Sequence, residues 1–353
     1  MLPIILLTVY EYFDCAGALR SEIYCAILFI LYKKVLRTVL VGKRKQMAAE
    51  GKSKFTLMTT EPVEHLVFKM AIPTIICLLV TALYNIVDTF FVGRIGNEAT
   101  AGVGLVLPMM AVMQAFGFFF GMGSGNYISR SLGAQETDKA ETMAATGCFS
   151  ALLFGVLILA LGLTFKGALL YVLGARETLL DALTVRCAGE YLTIILCGAP
   201  FLCVSCVMNN QLRFQGNAFF SMIGLVSGAV LNCVLDPIFI FTLGLGVRGA
   251  AYATVLGQIA SCALLYTGTL RSDSLKLHIK NFRPNAYYLK NICLGGVPSL
   301  FRQGLSSVTA MVLNAAAASA VTAELATPTV AAFTVVNKIS MLAFSAVIGF
   351  GQG

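Results

Sequence analysis

The chain has 353 residues, of which 58% are hydrophobic and 12% are charged, and its mean hydropathy is +0.83. This composition excludes an ordinary soluble domain and predicts an all-α polytopic membrane protein, because apolar runs of about 20 residues recur along the chain. The net charge of +8 does not indicate nucleic-acid binding, since Lys and Arg in a membrane protein chiefly mark the cytoplasmic loops.

The first 59 residues are interpreted as an amino-terminal extension and a cytoplasmic lead. Ile23 to Val41 is apolar, but Lys33, Lys34 and Arg37 interrupt it. Residues 1–46 therefore suggest a mis-set start or a dispensable extension, while an additional amphipathic or tilted helix is the alternative.

Eight hydrophobic segments follow, and each is long enough to cross a bilayer. They run from Leu66 to Val92, Thr100 to Ile128, Met143 to Phe165, Cys187 to Gln211, Ala218 to Leu243, Gly249 to Leu270, Leu289 to Ser319 and Thr329 to Gly353. The first six predict a six-helix amino-terminal lobe over residues 60–270, joined by a cytoplasmic loop at 271–288 to a second lobe at 289–353.

A weak internal repeat relates the two lobes. Ile72-Pro73 in the first span corresponds to Val297-Pro298 in the seventh, and the glycine-rich end of the second span corresponds to that of the eighth. Repeats of this kind are common in transporters. The repeat predicts two helices of the second lobe within the chain and about four more in a complete lobe, so that the chain would be a fragment.

The distribution of basic residues predicts a cytoplasmic amino terminus in a multi-pass protein of the cell membrane, expected to be a bacterial inner membrane. Lys and Arg are concentrated before the first span and again between the sixth and seventh spans. Both regions are then cytoplasmic, and an even number of crossings separates them.

Two acids lie within apolar spans, where a carboxylate is costly and usually functional. Asp88 in the first span and Asp236 in the fifth fall about 6 Å and about 10 Å below the outer surface, at about 1.5 Å per helical residue. Thr254 in the sixth span lies at a similar depth. Asn232 precedes Asp236 by four residues and shares its helix face.

Two carboxylates, an amide and a hydroxyl form an oxygen-rich set that suits a hard monovalent cation, and the same set can hold a proton. Asp88, Asn232, Asp236 and Thr254 are therefore the candidate cation or proton site, with no other metal and no cofactor expected. In the alternative interpretation each acid pairs separately, Asp88 with Arg94 near the surface. Asn209, Asn210, Gln211 and Arg213, at the inner end of the fourth span, are interpreted as interfacial anchors.

Several motifs resemble those of the multidrug and toxic compound extrusion family. They are Met70-Ala71-Ile72-Pro73, the stretch from Tyr84 to Gly93, Arg213-Phe214-Gln215-Gly216, the stretch from Leu231 to Pro237, and the stretch from Gly246 to Thr254. The resemblance covers roughly residue 60 to the end of the chain. It implies a fold of twelve helices in two lobes and the export of organic cations and drugs in exchange for inward sodium or protons.

The resemblance also implies roles for particular residues. In bacterial relatives the amino-terminal lobe holds a cation site at positions that match Asp88, Asn232, Asp236 and Thr254. Some relatives use an acid in the seventh span instead, but no Asp or Glu lies between Leu289 and Ser319.

The function favoured by the sequence is a cation-coupled multidrug antiporter that works by alternating access, with cationic or lipophilic drugs, sodium or protons, and the bilayer as its partners. The alternatives are a flippase-like exporter of a lipid-linked precursor, whose cavity would need basic residues, and a non-transporting fragment. An intramembrane enzyme is disfavoured because the two histidines, His65 and His278, lie outside the predicted spans.

Overall fold

The computed structural model describes residues 62–175, 180–270, 281–319 and 323–352, and within these ranges the regular structure is helical. The extension at residues 1–59, His278, most of the loop after residue 270 and the side chain of His65 lie outside what the structure describes. Among the described residues we number nine α-helices in chain order. They are α1 Val63–Gly93, α2 Asn97–Gly133, α3 Thr137–Thr164, α4 Lys166–Val172, α5 Ala182–Phe214, α6 Ala218–Pro237, α7 Val247–Leu270, α8 Ala286–Ser319 and α9 Ala323–Gln352.

Six of these helices are long and apolar enough to cross a membrane: α1 from residue 71, α2, α3, α5, α6 with its extension to residue 242, and α7. They confirm the predicted six-helix lobe. The remaining two long helices, α8 and α9, coincide with the predicted first two helices of the second lobe. The short helix α4 was not predicted, and it lies in the connection between α3 and α5.

The fifth span differs from the single helix that its hydropathy predicts. The α-helix ends at Pro237, and the chain continues as a π-helical turn over Ile238–Thr242. Proline has no N–H to donate to the helical ladder, so the regular i to i−4 pattern is interrupted at this point. The main-chain N–H of Leu243 then donates to the Ile238 carbonyl at 2.9 Å, five residues earlier.

Three helices end in the same way, with one residue in the left-handed conformation. These residues are Gln135, Gly174 and Gly216, with φ of 60°, 91° and 73°. At each of them two main-chain hydrogen bonds close the last turn. At Gly216, for example, the N–H of Asn217 donates to the Leu212 carbonyl at 2.9 Å, and the N–H of Gly216 donates to the Arg213 carbonyl at 2.8 Å. This arrangement, the Schellman motif, satisfies carbonyls that a helix end leaves unpaired and turns the chain back into the bundle.

The helices pack so that α2 and α1 each contact both lobes. Helix α2 packs against α5 within the first lobe and against α8 of the second, while α1 packs against α6 and against α9. The turns at 94–96 and 243–246 and the segment at 165–175, which contains α4, lie at one end of the bundle, which we call the upper end. The turns at 134–136 and 215–217 lie at the lower end.

The connection between the lobes is attached to α3 at the lower end. The main-chain N–H of Arg283 donates to Thr146 Oγ1 at 3.3 Å, and Asn281 Nδ2 donates to Glu141 Oε2 at 3.2 Å. The rings of Phe149 and Phe282 stack edge to face with centroids 5.7 Å apart. Residues 281–283 are therefore held on the first lobe before α8 begins.

Candidate functional site

Three of the four predicted site residues meet where α6 packs on α7. Asn232 Nδ2 lies 3.3 Å from Asp236 Oδ1 and 3.4 Å from Thr254 Oγ1. The hydroxyl of Thr254 itself donates to the Ala250 carbonyl at 3.0 Å, so its lone pairs point away from that bond. All three residues are buried, and Asp236 has no exposed surface.

Two glycines explain why α6 and α7 approach so closely at this point. A Cβ atom on Gly257 would lie 2.8 Å from the Gly228 carbonyl oxygen, and one on Gly228 would lie 2.6 Å from the Gly257 carbonyl oxygen. Only glycine allows two backbones this close, because any side chain would force the helices apart. The contact brings Thr254, one turn before Gly257, opposite Asn232, one turn after Gly228.

The fourth predicted residue, Asp88, pairs with a cationic side chain that was not predicted. Its Oδ2 lies 3.9 Å from Nζ of Lys338 in α9, and both side chains are almost completely buried. The proposed partner Arg94 instead lies over the ring of Phe90, with its guanidinium carbon 4.9 Å from the centroid. The alternative pairing of Asp88 with Arg94 is therefore replaced by an ion pair between the two lobes.

Asp88 lies on α1, which packs against both α6 and α9. One oxygen on each of three side chains, Oδ1 of Asp88, Oδ1 of Asn232 and Oδ2 of Asp236, is buried without a protein hydrogen-bond partner. Buried polar atoms are usually satisfied, so these oxygens are available to a cation or a proton.

A cavity of about 210 Å³ opens beside this cluster, between the helices of the first lobe and α8 and α9. Its wall includes Asn232 and Thr254 themselves, which join the cavity to the cluster. The other polar or aromatic side chains that line it are Thr81, Tyr84, Gln114, Phe118, Ser205, Asn209, Gln258, Ser261, Arg302, Gln303 and Ser345. Gln258 Oε1 and Ser261 Oγ have no protein hydrogen-bond partner, so the cavity offers free acceptor groups on α7.

The residues predicted to anchor the inner end of the fourth span are buried, and that prediction is wrong. Gln211 Nε2 donates to Ser124 Oγ at 3.0 Å and to the Ala144 carbonyl at 3.1 Å, linking α5 to α2 and α3. Asn209 donates to the Ser221 carbonyl at 3.1 Å, and Arg213 donates to Asn210. Each of these side chains thus has a hydrogen-bond partner inside the lobe and does not lie in the headgroup region.

Lys338 is the site residue that sequence reasoning missed, although a signal for it was present. It is a lone lysine in the middle of the eighth hydrophobic segment, and an ionisable residue in a span is by default functional whatever its sign. Among the ionisable residues within the spans, the acids alone were expected to be functional.

Comparison with known proteins identifies the family. Residues 73–238 match the family model described as MatE. The multidrug export protein MepA of Staphylococcus aureus strain MRSA252 is 31% identical over 256 residues, which are 72% of this chain and 55% of MepA. The chain thus spans about half the length of the curated relatives that it matches.

Solved structures are similar over more of the chain. The outward-facing conformation of a multidrug resistance MATE family transporter of the MOP superfamily aligns with a TM-score of 0.74 and 31% identity, covering 85% of this chain and 65% of that one. The crystal structure of MATE in complex with Br-NRF aligns with a TM-score of 0.68 and 30% identity, covering 85% and 68%. These relatives are transporters. From its sequence and its fold, the chain belongs to the multidrug and toxic compound extrusion family of multi-pass membrane transporters.

Proposed function

We propose that this protein exports organic cations and drugs in exchange for sodium or protons, and that Asp88, Asn232, Asp236 and Thr254 form the site of the coupling ion. The observation that carries the proposal is the position of the buried Asn232–Asp236–Thr254 cluster, which has unsatisfied oxygens and forms part of the wall of a cavity between the two sets of helices. An ion in the cluster and a drug in the cavity would then share two side chains.

The shared wall gives a physical route for coupling. An empty cluster leaves carboxylate charge buried, which is costly, and an incoming cation or proton removes that cost. Asn232 and Thr254 must turn toward the ion when it binds, and the same groups then withdraw from the cavity. A bound ion therefore favours release of the drug. Such negative coupling between ion binding and drug binding is what an antiporter requires.

Alternating access would move the two lobes relative to each other. We assign residues 60–270 to the amino-terminal lobe, 271–288 to the cytoplasmic connection and 289–353 to the second lobe. The cavity has walls from both lobes, so a rocking motion would change its access. One of the similar structures is described as outward-facing, which is in keeping with such a cycle in a relative.

The expected orientation has the amino terminus in the cytoplasm and the upper end outside the cell. Asp88 and Asp236 lie in the upper halves of α1 and α6, so the coupling ion would enter from the outside. The basic residues before α1 and between α7 and α8 support this orientation. The membrane we propose is the cell membrane of a bacterium.

The substrates we propose are cationic or lipophilic drugs. MepA is described as a multidrug export protein. Amides, hydroxyls and the rings of Tyr84 and Phe118 line the cavity here, and such a wall offers hydrogen bonds and cation–π contacts without one fixed geometry.

Replacement of Asp236 by Asn tests the proposal. Asp236→Asn keeps the shape of the side chain and removes the charge, so we expect ethidium export from proteoliposomes, driven by a sodium or a proton gradient, to fall at least about tenfold. Asp138→Asn is the matched control, because Asp138 is exposed in the first turn of α3. Export that is equal in the two variants, with equal amounts of folded protein, would overturn the assigned site.

One observation supports the flippase-like alternative. Arg302 of α8 lines the cavity, and a basic side chain is what a phosphate-bearing precursor would require. Arg302 is, however, the single charged residue among the lining side chains that the structure describes. Multidrug export therefore has the stronger support. Arg302→Gln should abolish transport of an anionic lipid, whereas export of the cation ethidium should continue.

A further inference from the structure

Lys338 is held deep in the protein by two residues of the opposite lobe. Its Nζ lies 3.9 Å from Asp88 Oδ2 and donates to the side chain of Asn85 at 3.2 Å and to the Asn85 carbonyl at 3.4 Å. The exposed fractions of the Lys338 and Asp88 side chains are 6% and 7%. A charged ammonium is tolerated at such a position only when a carboxylate and further acceptors replace its water, and all three are present.

The charges around the cluster can be counted. Asp88 on α1, Asp236 on α6 and Lys338 on α9 are the buried acidic and basic side chains of these three helices, within the described residues. The neighbouring Tyr84, Tyr191 and Cys233 are side chains whose ordinary form is neutral. With both acids ionised, two carboxylates and one ammonium leave one negative charge uncompensated.

One oxygen of each carboxylate is left without a hydrogen-bond partner. Lys338 takes one oxygen of Asp88, Oδ2, while Oδ1 of the same carboxylate has no hydrogen-bond partner. On the other side Asn232 donates to Asp236 Oδ1, and Asp236 Oδ2 is without a partner. One ammonium and one amide thus orient the two carboxylates, and each carboxylate keeps one oxygen for an ion.

We propose that Lys338 is a built-in cation of the coupling site, so that each cycle takes up one sodium ion or one proton and not two. The proposal rests on the proposed function, because it assigns a stoichiometry to the same site. The low-dielectric interior favours a cluster without net charge, and a single monovalent cation neutralises the remaining negative charge. Exchange of that ion for a monovalent drug cation moves no net charge across the membrane.

A purely structural role for Lys338 is the alternative to be distinguished. An ion pair between α1 and α9 would stabilise the contact between the two lobes, and this effect would not depend on the number of coupling ions. Loss of stability or of activity in a Lys338 variant would fit both roles. The net charge moved per cycle separates them, because a fastening contact has no influence on it.

The experiment measures the steady-state gradient of ethidium, a monovalent cation, in proteoliposomes of the whole chain at several potentials set by potassium and valinomycin. We expect no dependence on potential for the wild-type protein. In Lys338→Met the cluster carries two uncompensated charges, so two ions should enter for each ethidium, and the gradient should change tenfold for about 59 mV.

Three further variants keep the test decisive. Lys338→Arg retains the charge, so it should not make the gradient depend on potential. Lys338→Gln removes the charge but keeps a hydrogen-bond donor for Asn85, so it should behave as Lys338→Met. Lys139→Met makes the same chemical change at an exposed lysine paired with Glu136 on α3, and it should behave as the wild type. If Lys338→Met does not fold or transport, the wild type and Lys338→Gln decide.

The outcomes fall into separate classes. A wild-type gradient that changes tenfold for about 59 mV means two ions, and it overturns the inference while the proposed function stands. The same holds for Lys338→Met that transports without dependence on potential. Absence of gradient-driven ethidium export in both the wild type and Asp236→Asn overturns the proposed function, and the stoichiometry with it.

Discussion

Gly123 of α2 faces the main chain of Ile292 in α8 so closely that a Cβ atom at position 123 would lie 2.9 Å from Ile292 Cα and overlap its carbonyl. The contact joins the two lobes near the lower end. Gly123→Ala must push α2 and α8 apart, since a backbone cannot rotate away as a side chain can. We expect a loss of stability of about 1–3 kcal/mol, measured as a lower melting temperature in detergent.

Gly133→Ala is the matched control for this prediction. It places the same methyl group on the same helix, at a position with nothing within 4 Å. Equal melting temperatures for the two variants would mean that the helices are not packed as closely as the structure has them.

The hydroxyl of Thr254 is predicted to bind the coupling ion. Thr254→Val keeps the shape of the side chain and removes the oxygen that lies 3.4 Å from Asn232 Nδ2. Loss of one ligand should weaken ion binding about tenfold, which corresponds to about 1.4 kcal/mol. The measurement is the sodium or proton concentration that gives half-maximal ethidium export.

Two comparisons separate this effect from a general effect of the substitution. Thr254→Ser keeps the hydroxyl and should restore most of the affinity. Thr309→Val removes an exposed hydroxyl that donates to the Leu305 carbonyl at 2.8 Å, as Thr254 donates to that of Ala250. Ion dependence that is unchanged in Thr254→Val would exclude Thr254 as a ligand.

The juxtaposition of Asn232, Asp236 and Thr254 was predictable from the sequence for a simple reason. Residues four apart share a helix face, and consecutive spans of similar length place residues at comparable distances from the same surface. The depth of each residue below the surface depends only on the span boundaries. Errors of a few residues in those boundaries do not change which residues share a depth. The close approach of Gly228 and Gly257 was not predicted, although it sets the distance between the helices.

Lys338 could not be placed opposite Asp88 by the same arithmetic. Lys338 and Asn85 are 253 positions apart in the sequence, and they meet because α9 of one lobe packs on α1 of the other. Depth along a helix does not say which helices are neighbours. The inner end of the fourth span was misinterpreted for a related reason: polarity near a predicted span end fits both an interfacial anchor and a buried network, and packing decides between them.

The buried network at Gln211 should contribute to stability and not to ion coupling. Gln211→Leu removes two hydrogen bonds, to Ser124 Oγ and to the Ala144 carbonyl. We expect destabilisation of about 1–3 kcal/mol, seen as a lower melting temperature. The protein that remains folded should export ethidium with the same dependence on the coupling ion.

Gln258→Leu provides the contrast to this variant. Gln258 lines the cavity, and its Oε1 has no protein partner, so its replacement should leave the melting temperature nearly unchanged and alter ethidium export. Two glutamines in the same lobe would thus give opposite results. A stable Gln211→Leu protein would mean that the polar groups find other partners.

Glu190 joins α5 to α7 at the upper end, and the link is predicted to be weak. Its Oε1 accepts from Arg248 Nη2 at 2.8 Å and from Arg186 Nε at 3.0 Å, and both arginine side chains are more than half exposed. Exposed pairs of this kind contribute about 0.2–1 kcal/mol and are screened by salt. Arg248→Gln should therefore lower stability slightly at low ionic strength and hardly at all at high ionic strength.

Arg248→Gln should also speed hydrogen exchange in the turn at 243–246, because this turn leads directly into Arg248. Arg186→Gln, which breaks only the contact within α5, should not change exchange in that turn. Equal exchange rates in the two variants, or a loss of stability that salt does not reduce, would show that Glu190 does not link the two helices in this way.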